Sequence, residues 1–231
     1  MDNQKQAWDD SFARKENFLF HPNEEVIRFA SRHLRKQTGL REFREVSSLD
    51  GPVRLLDLGC GIGRHVVFAH QMGLEAYGID LSEVAIRTAR QWATEIGAAA
   101  LEARLVQGDL RRLPWADRFF PYVVSHGVLD SMPFALAQEA MQEVARVMSV
   151  GGLFYCDLIS GDDAAHAREY AGEEVVSTSH EAGTVQSYFN YSKITQLVRD
   201  RFEVLEASLI RRENVLSGHY HARYHLVLKR T

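Results

Sequence analysis

The apolar residues in the middle of this chain form short runs that alternate with stripes at helical spacing. The runs are too short for helices and predict buried strands, whereas the stripes repeat roughly every three or four residues and predict amphipathic helices. The predicted strands cover residues 53–58, 75–80, 106–110, 119–127 and 153–159. The predicted helices between them cover residues 64–72, 82–96 and 134–148. From residue 53 to residue 159, strands and helices therefore follow one another.

The two ends of the chain carry further elements. Asn23 can cap a helix over 24–37, which Gly39 would end, and residues 40–52 would then be a polar connection. Towards the C-terminus, two short runs on either side of residues 180–183 indicate a hairpin. The remaining pattern predicts a helix over 192–199 and two consecutive strands over 202–212 and 219–229.

Glycines at alternate positions follow the first strand. Gly59, Gly61 and Gly63 connect that strand directly to the helix that begins at Arg64. A strand, a glycine loop and a helix N-terminus bring bare backbone close to a ligand, because no Cβ holds the ligand away. The dinucleotide fingerprint would place its third glycine at position 64. The spacing therefore differs from that fingerprint, and Asp57 precedes the first glycine by two residues.

Residues 56–63, Leu-Asp-Leu-Gly-Cys-Gly-Ile-Gly, resemble motif I of the class I S-adenosylmethionine (SAM)-dependent methyltransferases. The resemblance implies that the glycines admit the methionine portion of SAM, and that Asp57 holds its ammonium group directly or through water. The cofactor-binding residues implied in this stretch are Asp57, Gly59, Cys60, Gly61 and Gly63. The remaining alternative is a tight turn that binds nothing.

Two further acids follow strands at positions that suit a nucleoside. Asp80 lies 17 residues after Gly63, close to the distance at which nucleotide-binding α/β folds place a carboxylate on ribose hydroxyls. We expect Asp80 and Leu81 at the ribose, the alternative being that Asp80 helps to cap the next helix. The family resemblance implies that Asp109 and Leu110 lie at the adenine. A turn aspartate is the alternative for Asp109.

The general base is the least determined part of the site, because a neutral amine needs little help whereas a hydroxyl acceptor needs a base. His126 is the first candidate, since the family's fourth motif ends beside the reacting methyl group, and it also counts among the cofactor-lining residues. Asp130 and Tyr188 are the other candidate catalytic residues. The alternative for His126 is that only its backbone lines the site.

The resemblance implies a doubly wound, Rossmann-like α/β fold with a seven-stranded, mostly parallel sheet whose last strand is reversed. We expect residues 1–50 to form an N-terminal helical cap on a SAM-binding domain over 51–231. An inserted hairpin around 160–190 would form a lid over the acceptor, because ligands bind at the carboxyl edge of such sheets. Trp8 and Phe12 in the cap are candidates to cover the ligands.

Composition and charge narrow the function. The chain has 231 residues, a formal net charge of −4 and two cysteines, which favours one α/β domain in the cytoplasm with free thiols. Nucleic acid is an improbable partner because its binding rests on excess positive charge. No apolar run is long enough for a membrane span. The histidines near the C-terminus, His219, His221 and His225, are interpreted as a solvated face, so no metal site is predicted.

We therefore predict a SAM-dependent methyltransferase that acts on a small-molecule N or O acceptor and releases S-adenosyl-L-homocysteine. The fourth motif lacks the Asn/Asp-Pro-Pro-Tyr/Phe sequence, which disfavours DNA amines and glutamine amides as acceptors. Two alternatives remain: a SAM-binding regulatory protein without catalysis, and an NAD-dependent oxidoreductase. Arg64 in place of the final fingerprint glycine speaks against the oxidoreductase.

Overall fold

A seven-stranded sheet covered by helices on both faces forms the body of the molecule. The computed structural model describes residues 2–47, 52–167, 169–178 and 181–231. Its helices are α1 (Asp2–Ala13), α2 (Glu24–His33), α3 (Arg64–Gln71), α4 (Glu83–Glu95), α5 (Phe134–Val147) and α6 (Tyr191–Val198). Its first strands are β1 (Arg35–Gln37), β2 (Phe43–Glu45), β3 (Arg54–Leu58), β4 (Glu75–Asp80), β5 (Leu105–Gln107) and β6 (Phe120–Ser125). The later strands are β7 (Met148–Ile159), β8 (Glu173–Val175), β9 (Val185–Ser187), β10 (Phe202–Glu213) and β11 (Tyr220–Arg230).

The large sheet has the strand order β10-β11-β7-β6-β3-β4-β5. The strands from β5 to β7 run parallel, whereas β11 is antiparallel to both of its neighbours. The last strand of the chain is thus reversed and lies between β7 and β10. The predicted doubly wound fold with a reversed last strand is confirmed.

Alternation along the strands divides the apolar core between the two faces of the sheet. Leu56 packs in one cluster with α5 and α6, while its neighbour Leu55 packs in the other with α2, α3 and α4. Successive side chains of a strand point to opposite faces, so a strand that is apolar on both faces must be buried on both. No helix in the described part of the chain is long and apolar enough to cross a membrane.

Two predicted boundaries near the N-terminus are wrong. The helix predicted over 24–37 ends at His33, and residues 35–37 instead pair antiparallel with residues 43–45. The guanidinium of Arg35 donates to the carbonyls of Met72 and Gly73, which draws this segment out of the helix and onto the loop after α3. Residues 40–52 therefore contain a strand, and residues 48–51, with the predicted domain boundary, lie outside the described residues.

The fifth predicted strand begins earlier than expected. The helix predicted over 134–148 ends at Val147, and β7 begins at Met148 and runs through Gly151 and Gly152. A Cβ on Gly152 would lie 2.7 Å from the carbonyl oxygen of Pro121, so the glycine permits the close approach of β6. The strand predicted over 106–110 is also shorter and ends at Gln107.

The predicted C-terminal elements agree with the structure. β10 and β11 form a long hairpin, and α6 begins after the capping residue Asn190. The hairpin predicted on either side of residues 180–183 is present as β8 and β9, which pair antiparallel. His180 in its predicted turn lies outside the described residues.

Candidate active site

A cavity of about 310 Å³ opens where β3, β4, β5 and β6 end. This is the carboxyl edge of the parallel strands, the place at which open α/β sheets bind their ligands. Its volume lies at the lower end of the range for small-molecule sites. The predicted cofactor residues that line it are Gly59, Cys60, Gly61, Asp80, Leu81, Asp109, Leu110 and His126. Asp57 and Gly63 lie outside its walls.

The glycine loop, residues 59–63, has the left-handed backbone that favours glycine. Gly59, Gly61 and Gly63 have φ angles of 65°, 53° and 91°. A Cβ on Gly61 would lie 3.3 Å from the ring of Phe12, so the loop and α1 approach each other closely. A Cβ on Gly63 would lie 3.2 Å from the Cβ of Ala89, which shows that this glycine serves the packing of α3 on α4.

Asp80 joins the end of β4 to the glycine loop. One carboxylate oxygen accepts the backbone N–H of Gly61 at 2.8 Å, and the other accepts that of Ser82 at 2.8 Å. Burial raises the pKa of Asp80 to about 6, although both hydrogen bonds oppose this shift. The carboxylate lines the cavity with lone pairs left for further donors. Ser82, not Asp80, caps α4 with its side chain.

Asp57 lies beneath the glycine loop and is almost completely buried. Its Oδ2 atom is 3.4 Å from Nδ1 of His65, and the Nε2 atom of that imidazole accepts the backbone N–H of Asn23 at 3.2 Å. Within the described residues, Oδ2 of Asp57 has no hydrogen-bond partner. A buried carboxylate oxygen without a donor attracts a cation.

Asp109 and Arg111 form an ion pair at the far wall of the cavity. Two guanidinium nitrogens of Arg111 donate to the carboxylate, the shorter contact being 2.6 Å, and the backbone N–H of Arg111 also donates to it. These hydrogen bonds hold the pKa of Asp109 below its usual range. Leu110 beside it is largely buried and contributes an apolar surface to the same wall.

His126 lies between a guanidinium and a carboxylate. The Nδ1 atom of His126 is 3.2 Å from Nη2 of Arg64, and its Nε2 atom is 3.5 Å from Oδ2 of Asp157. Burial lowers the pKa of His126 to about 4, with Asp157 opposing and Arg64 reinforcing the shift. A guanidinium only donates, so Nδ1 accepts and the single ring proton is on Nε2. Neither nitrogen is therefore available to take a proton from an acceptor.

The predicted catalytic residue Asp130 lies behind the cavity in a buried ionic network. Arg223 on β11 donates to Asp130 at 2.6 Å and to Asp157 at 2.7 Å. Asp157 also accepts the backbone N–H of Gly127 at 2.7 Å, which fixes the loop after β6. Asp130 is 1% exposed, so the structure does not bring its carboxylate to the cavity. Asp157 and Arg223 were missed by sequence reasoning because they lie on β7 and β11, far apart along the chain.

Tyr188, the third candidate, lies away from the cavity in an aromatic cluster. Its ring is 4.6 Å from that of His166, which stacks on Tyr170 at 4.3 Å. The imidazole of His166 also contacts the carboxylates of Asp163 and Glu174, each at 2.9 Å. These contacts organise the segment that precedes β9.

The histidines of the C-terminal segment do not act as one row. The Nδ1 atom of His225 is 2.8 Å from the hydroxyl of Tyr155, while His219 and His221 are exposed. The side chain that shares the strand face of His221 and His225, Arg223, serves the ionic network instead.

Helix α1 covers the cavity and is anchored to α4. Asp9 accepts hydrogen bonds from the Ser82 hydroxyl at 2.6 Å and from the backbone N–H of Val84 at 3.3 Å. Lys5 pairs with the same carboxylate at 2.7 Å. Because Asp9 holds the first turn of α4, the aromatic side chains of Trp8 and Phe12 are fixed over the glycine loop.

Comparisons with known proteins agree with this geometry. Residues 55–152 match the family model described as a methyltransferase domain. A curated ubiquinone biosynthesis O-methyltransferase of Leptothrix cholodnii is 25% identical over 154 residues, which cover 67% of this chain and 63% of that protein. A solved SAM-dependent methyltransferase of Methanosarcina mazei has a TM-score of 0.64 at 20% identity, with 78% of this chain and 93% of that chain covered.

A second solved structure carries ligands. It is a 1,6-didemethyltoxoflavin-N1-methyltransferase of Burkholderia thailandensis with bound 1,6-didemethyltoxoflavin and S-adenosylhomocysteine. It has a TM-score of 0.57 at 19% identity, with 78% of this chain and 72% of that chain covered.

The strand order, the reversed last strand and the cavity at the glycine loop define the class I methyltransferase fold. Less than half of the chain matches the methyltransferase domain model, and the solved neighbours include SAM-dependent methyltransferases. Both findings agree with the family and the cofactor that motif I predicts. The chain spans less than two thirds of the length of the curated relatives that it matches first.

Proposed function

We propose that this protein transfers the methyl group of SAM to a nitrogen or oxygen atom of a small-molecule acceptor. The observation that carries the proposal is the carboxylate of Asp80, which faces the cavity while it holds the N–H of Gly61. A curated relative is named as an O-methyltransferase, and a structural neighbour as an N1-methyltransferase. Both acceptor atoms are therefore kept in the proposal.

The residues of the cavity fit an adenosyl cofactor. The carboxylate of Asp80 suits the two ribose hydroxyls, because an ionised carboxylate only accepts hydrogen bonds. Asp57 lies beneath the glycine loop and outside the cavity walls, so its unpartnered oxygen would hold the ammonium group through one water. Leu81 and Leu110 offer apolar contacts, and Asp109 would share its carboxylate between Arg111 and the adenine amino group.

The glycine loop and α1 would position the methionine portion. Gly59, Cys60 and Gly61 line the cavity, and a side chain at Gly61 would meet the Phe12 ring. The sulfonium of SAM supplies an already electrophilic methyl group. The chain's own part is then alignment and the exclusion of water, which α1 serves by covering the loop.

We propose that the acceptor binds under α1 and beside the segment 160–190, which acts as a lid on the domain over 51–231, with residues 1–50 as the cap. Glu181 of that segment lines the cavity. The apolar side chains on this side of the cavity are Trp8, Phe12, Leu19, Met132 and Leu136. A flat, largely apolar molecule suits such walls.

Thermal unfolding in the presence of SAM, S-adenosylhomocysteine and NAD tests the cofactor assignment. Saturation at about 100 times the dissociation constant stabilises a fold by about 2.7 kcal/mol, which raises the midpoint by several degrees. We expect a rise with both adenosyl ligands and none with NAD. A rise with NAD alone would favour the oxidoreductase, and no rise with either adenosyl ligand would overturn the proposal.

An acceptor screen follows, with release of S-adenosylhomocysteine as the readout. Turnover with phenols, enols or heterocyclic amines would establish the activity. Binding of SAM without turnover across all three classes would favour a regulatory SAM-binding protein.

A further inference from the structure

The cavity contains a cation that lacks a carboxylate partner. Arg64 lines the wall, and its only side-chain hydrogen bond within the described residues goes to the neutral imidazole of His126 at 3.2 Å. Arg111, the other guanidinium of the lining, is paired with Asp109. A half-buried guanidinium without an anion is costly, so a ligand that brings an anionic oxygen would be favoured there.

The neighbouring groups hold Arg64 in place without neutralising it. The Nδ1 atom of His126 accepts from the guanidinium, and Asp157 with Arg223 fixes the opposite side of that ring. The charged and titratable groups that act on Arg64 or His126 are Asp57, His65, Asp157 and Arg223. The two carboxylates that act on Arg64 favour its charged form. Because neither forms an ion pair with it, the remaining donors of the guanidinium stay free.

Among the described residues, the same cavity offers no uncommitted base for a hydroxyl acceptor. Both ring nitrogens of His126 are engaged, and Asp80, which accepts two backbone N–H groups, is assigned to the ribose hydroxyls. Asp109 is held by Arg111, and Glu181 has an interaction of its own. An acceptor hydroxyl would therefore have to lose its proton to water before the methyl group is transferred.

We propose that Arg64 binds the ionised hydroxyl oxygen of a phenolic acceptor, and so selects acceptors whose hydroxyl group is acidic. This rests on the proposed methyltransferase function and names its substrate class. The proton passes to solvent, a lone pair of the oxygen forms the new O–CH₃ bond, and the S–CH₃ bonding pair returns to sulfur. The aromatic side chains of Trp8 and Phe12 give the phenol ring its apolar wall.

The test measures the ionisation of a bound phenol, with no turnover required. The probes are 4-nitrophenol and 7-hydroxycoumarin, whose absorbance changes on ionisation, added to the complex with S-adenosylhomocysteine. A cation within about 4–6 Å lowers the pKa of an acid by roughly one unit or more. We expect that shift in the unchanged protein, its loss in Arg64→Gln and its partial retention in Arg64→Lys.

Two controls separate the roles of Arg64. Arg212→Gln, an exposed arginine on β10 outside the cavity, should leave the probe pKa unchanged. His126→Ala should reduce the shift because the guanidinium loses its hydrogen-bond partner.

The cofactor's own carboxylate is the competing ligand for Arg64. Affinities for S-adenosylhomocysteine and for 5′-methylthioadenosine, which lacks that carboxylate, distinguish the two. We expect Arg64→Gln to change neither affinity by more than about twofold. A loss of about tenfold for S-adenosylhomocysteine alone, with an unchanged probe pKa, would assign Arg64 to the cofactor and overturn the inference.

Two other results would also overturn it: a probe that binds with an unshifted pKa, or failure of both probes to bind while S-adenosylhomocysteine does. Neither affects the proposed function. That function falls separately, if no adenosyl ligand stabilises the unchanged protein.

Discussion

The carboxylate of Asp80 accepts the backbone N–H of Gly61 at 2.8 Å, which ties the end of β4 to the glycine loop. The position of the loop and the ionisation of this carboxyl group are therefore linked. Burial raises the pKa of Asp80 from 3.8 to about 6. The folded chain thus holds this proton more tightly than the unfolded chain does.

Affinity for S-adenosylhomocysteine should depend on pH through Asp80. The ionised carboxylate accepts both ribose hydroxyls, so we expect affinity to fall as pH drops below about 6. Asp80→Asn should weaken binding by about tenfold or more at pH 7 and flatten this dependence. Calorimetric titration at several pH values measures both, with Asp200→Asn, an exposed carboxylate, as the matched control. A pH dependence that persists in Asp80→Asn would contradict the assignment.

The free energy of unfolding of the ligand-free protein should also depend on pH through Asp80, but in the opposite direction to ligand affinity. A folded-state pKa above the unfolded value means that the contribution of Asp80 to the free energy of unfolding falls as pH rises from 3.8 to about 6. Above that range the contribution should be constant. Urea unfolding of the unchanged protein and of Asp80→Asn across these pH values isolates this contribution. An equal change of the free energy of unfolding with pH in the two proteins would refute the prediction.

Arg223 should be important for stability, although it is far along the chain from the residues that line the cavity. Arg223→Met leaves Asp130 and Asp157 buried without their cation, and we expect a loss of about 3 kcal/mol in the free energy of unfolding. Adding Asp130→Asn should recover part of this loss because one uncompensated charge is removed. Denaturant unfolding measures the effect, and Arg212→Met on the exposed strand β10 is the control. A loss equal to that of the control would show that the network contributes no stability.

Gly59 should tolerate alanine less well than another glycine with a similar backbone. Gly59 and Gly97 have φ angles of 65° and 73°, so alanine carries a similar backbone cost of about 1 kcal/mol at both. A Cβ on Gly59 would also lie 2.4 Å from Cγ2 of Val128, whereas nothing lies within 4 Å at Gly97. We expect Gly59→Ala alone to lose additional stability and ligand affinity, measured by thermal unfolding with and without S-adenosylhomocysteine.

The contact between Gly59 and Val128 allows a rescue experiment. Val128→Ala in the Gly59→Ala background should restore part of the lost stability, because the clashing methyl groups are removed. Equal losses for Gly59→Ala and Gly97→Ala would show that the steric contact is unimportant.

Lys193 should hold the hairpin of β8 and β9 to α6. Its ammonium group donates to the carbonyls of Ala171 and Tyr188 and to the hydroxyl of Ser187. Lys193→Met keeps the apolar stem but leaves these acceptors unpaired, so we expect a loss of about 1–3 kcal/mol. Hydrogen exchange should also speed up in residues 173–187. Lys229→Met, at an exposed position, should cost under about 0.5 kcal/mol.

The sequence pattern predicted the placement of the glycine loop and Asp80 better than it predicted the element boundaries. The alternate glycines and Asp80 directly follow strands, so their place at the sheet edge was predictable from local pattern. The end of α2 at His33 was not, because it depends on Arg35 reaching the carbonyls of Met72 and Gly73. A contact between segments so distant along the chain leaves no local signal.

The surroundings of the candidate catalytic residues could not be predicted, for the same reason. His126 was brought to the cavity, but the partners that engage its ring, Arg64 and Asp157, come from α3 and β7. Asp130 follows β6 closely, yet Arg223 on the reversed last strand holds it behind the cavity wall. Apolar periodicity and motif spacing predict the face of a strand or helix on which a residue lies. They do not predict which charged side chain it contacts.

The sequence by itself determined the alternation of strands and helices, the glycine loop and, through motif I, the resemblance to the SAM-dependent methyltransferases. These are properties of short stretches, where backbone freedom and apolar periodicity act locally. Only the tertiary structure decided which cavity side chains are engaged and which remain free, because burial and pairing depend on neighbours from other strands. Burial keeps His126 neutral, and within the described residues the fold gives Arg64 no carboxylate to pair with.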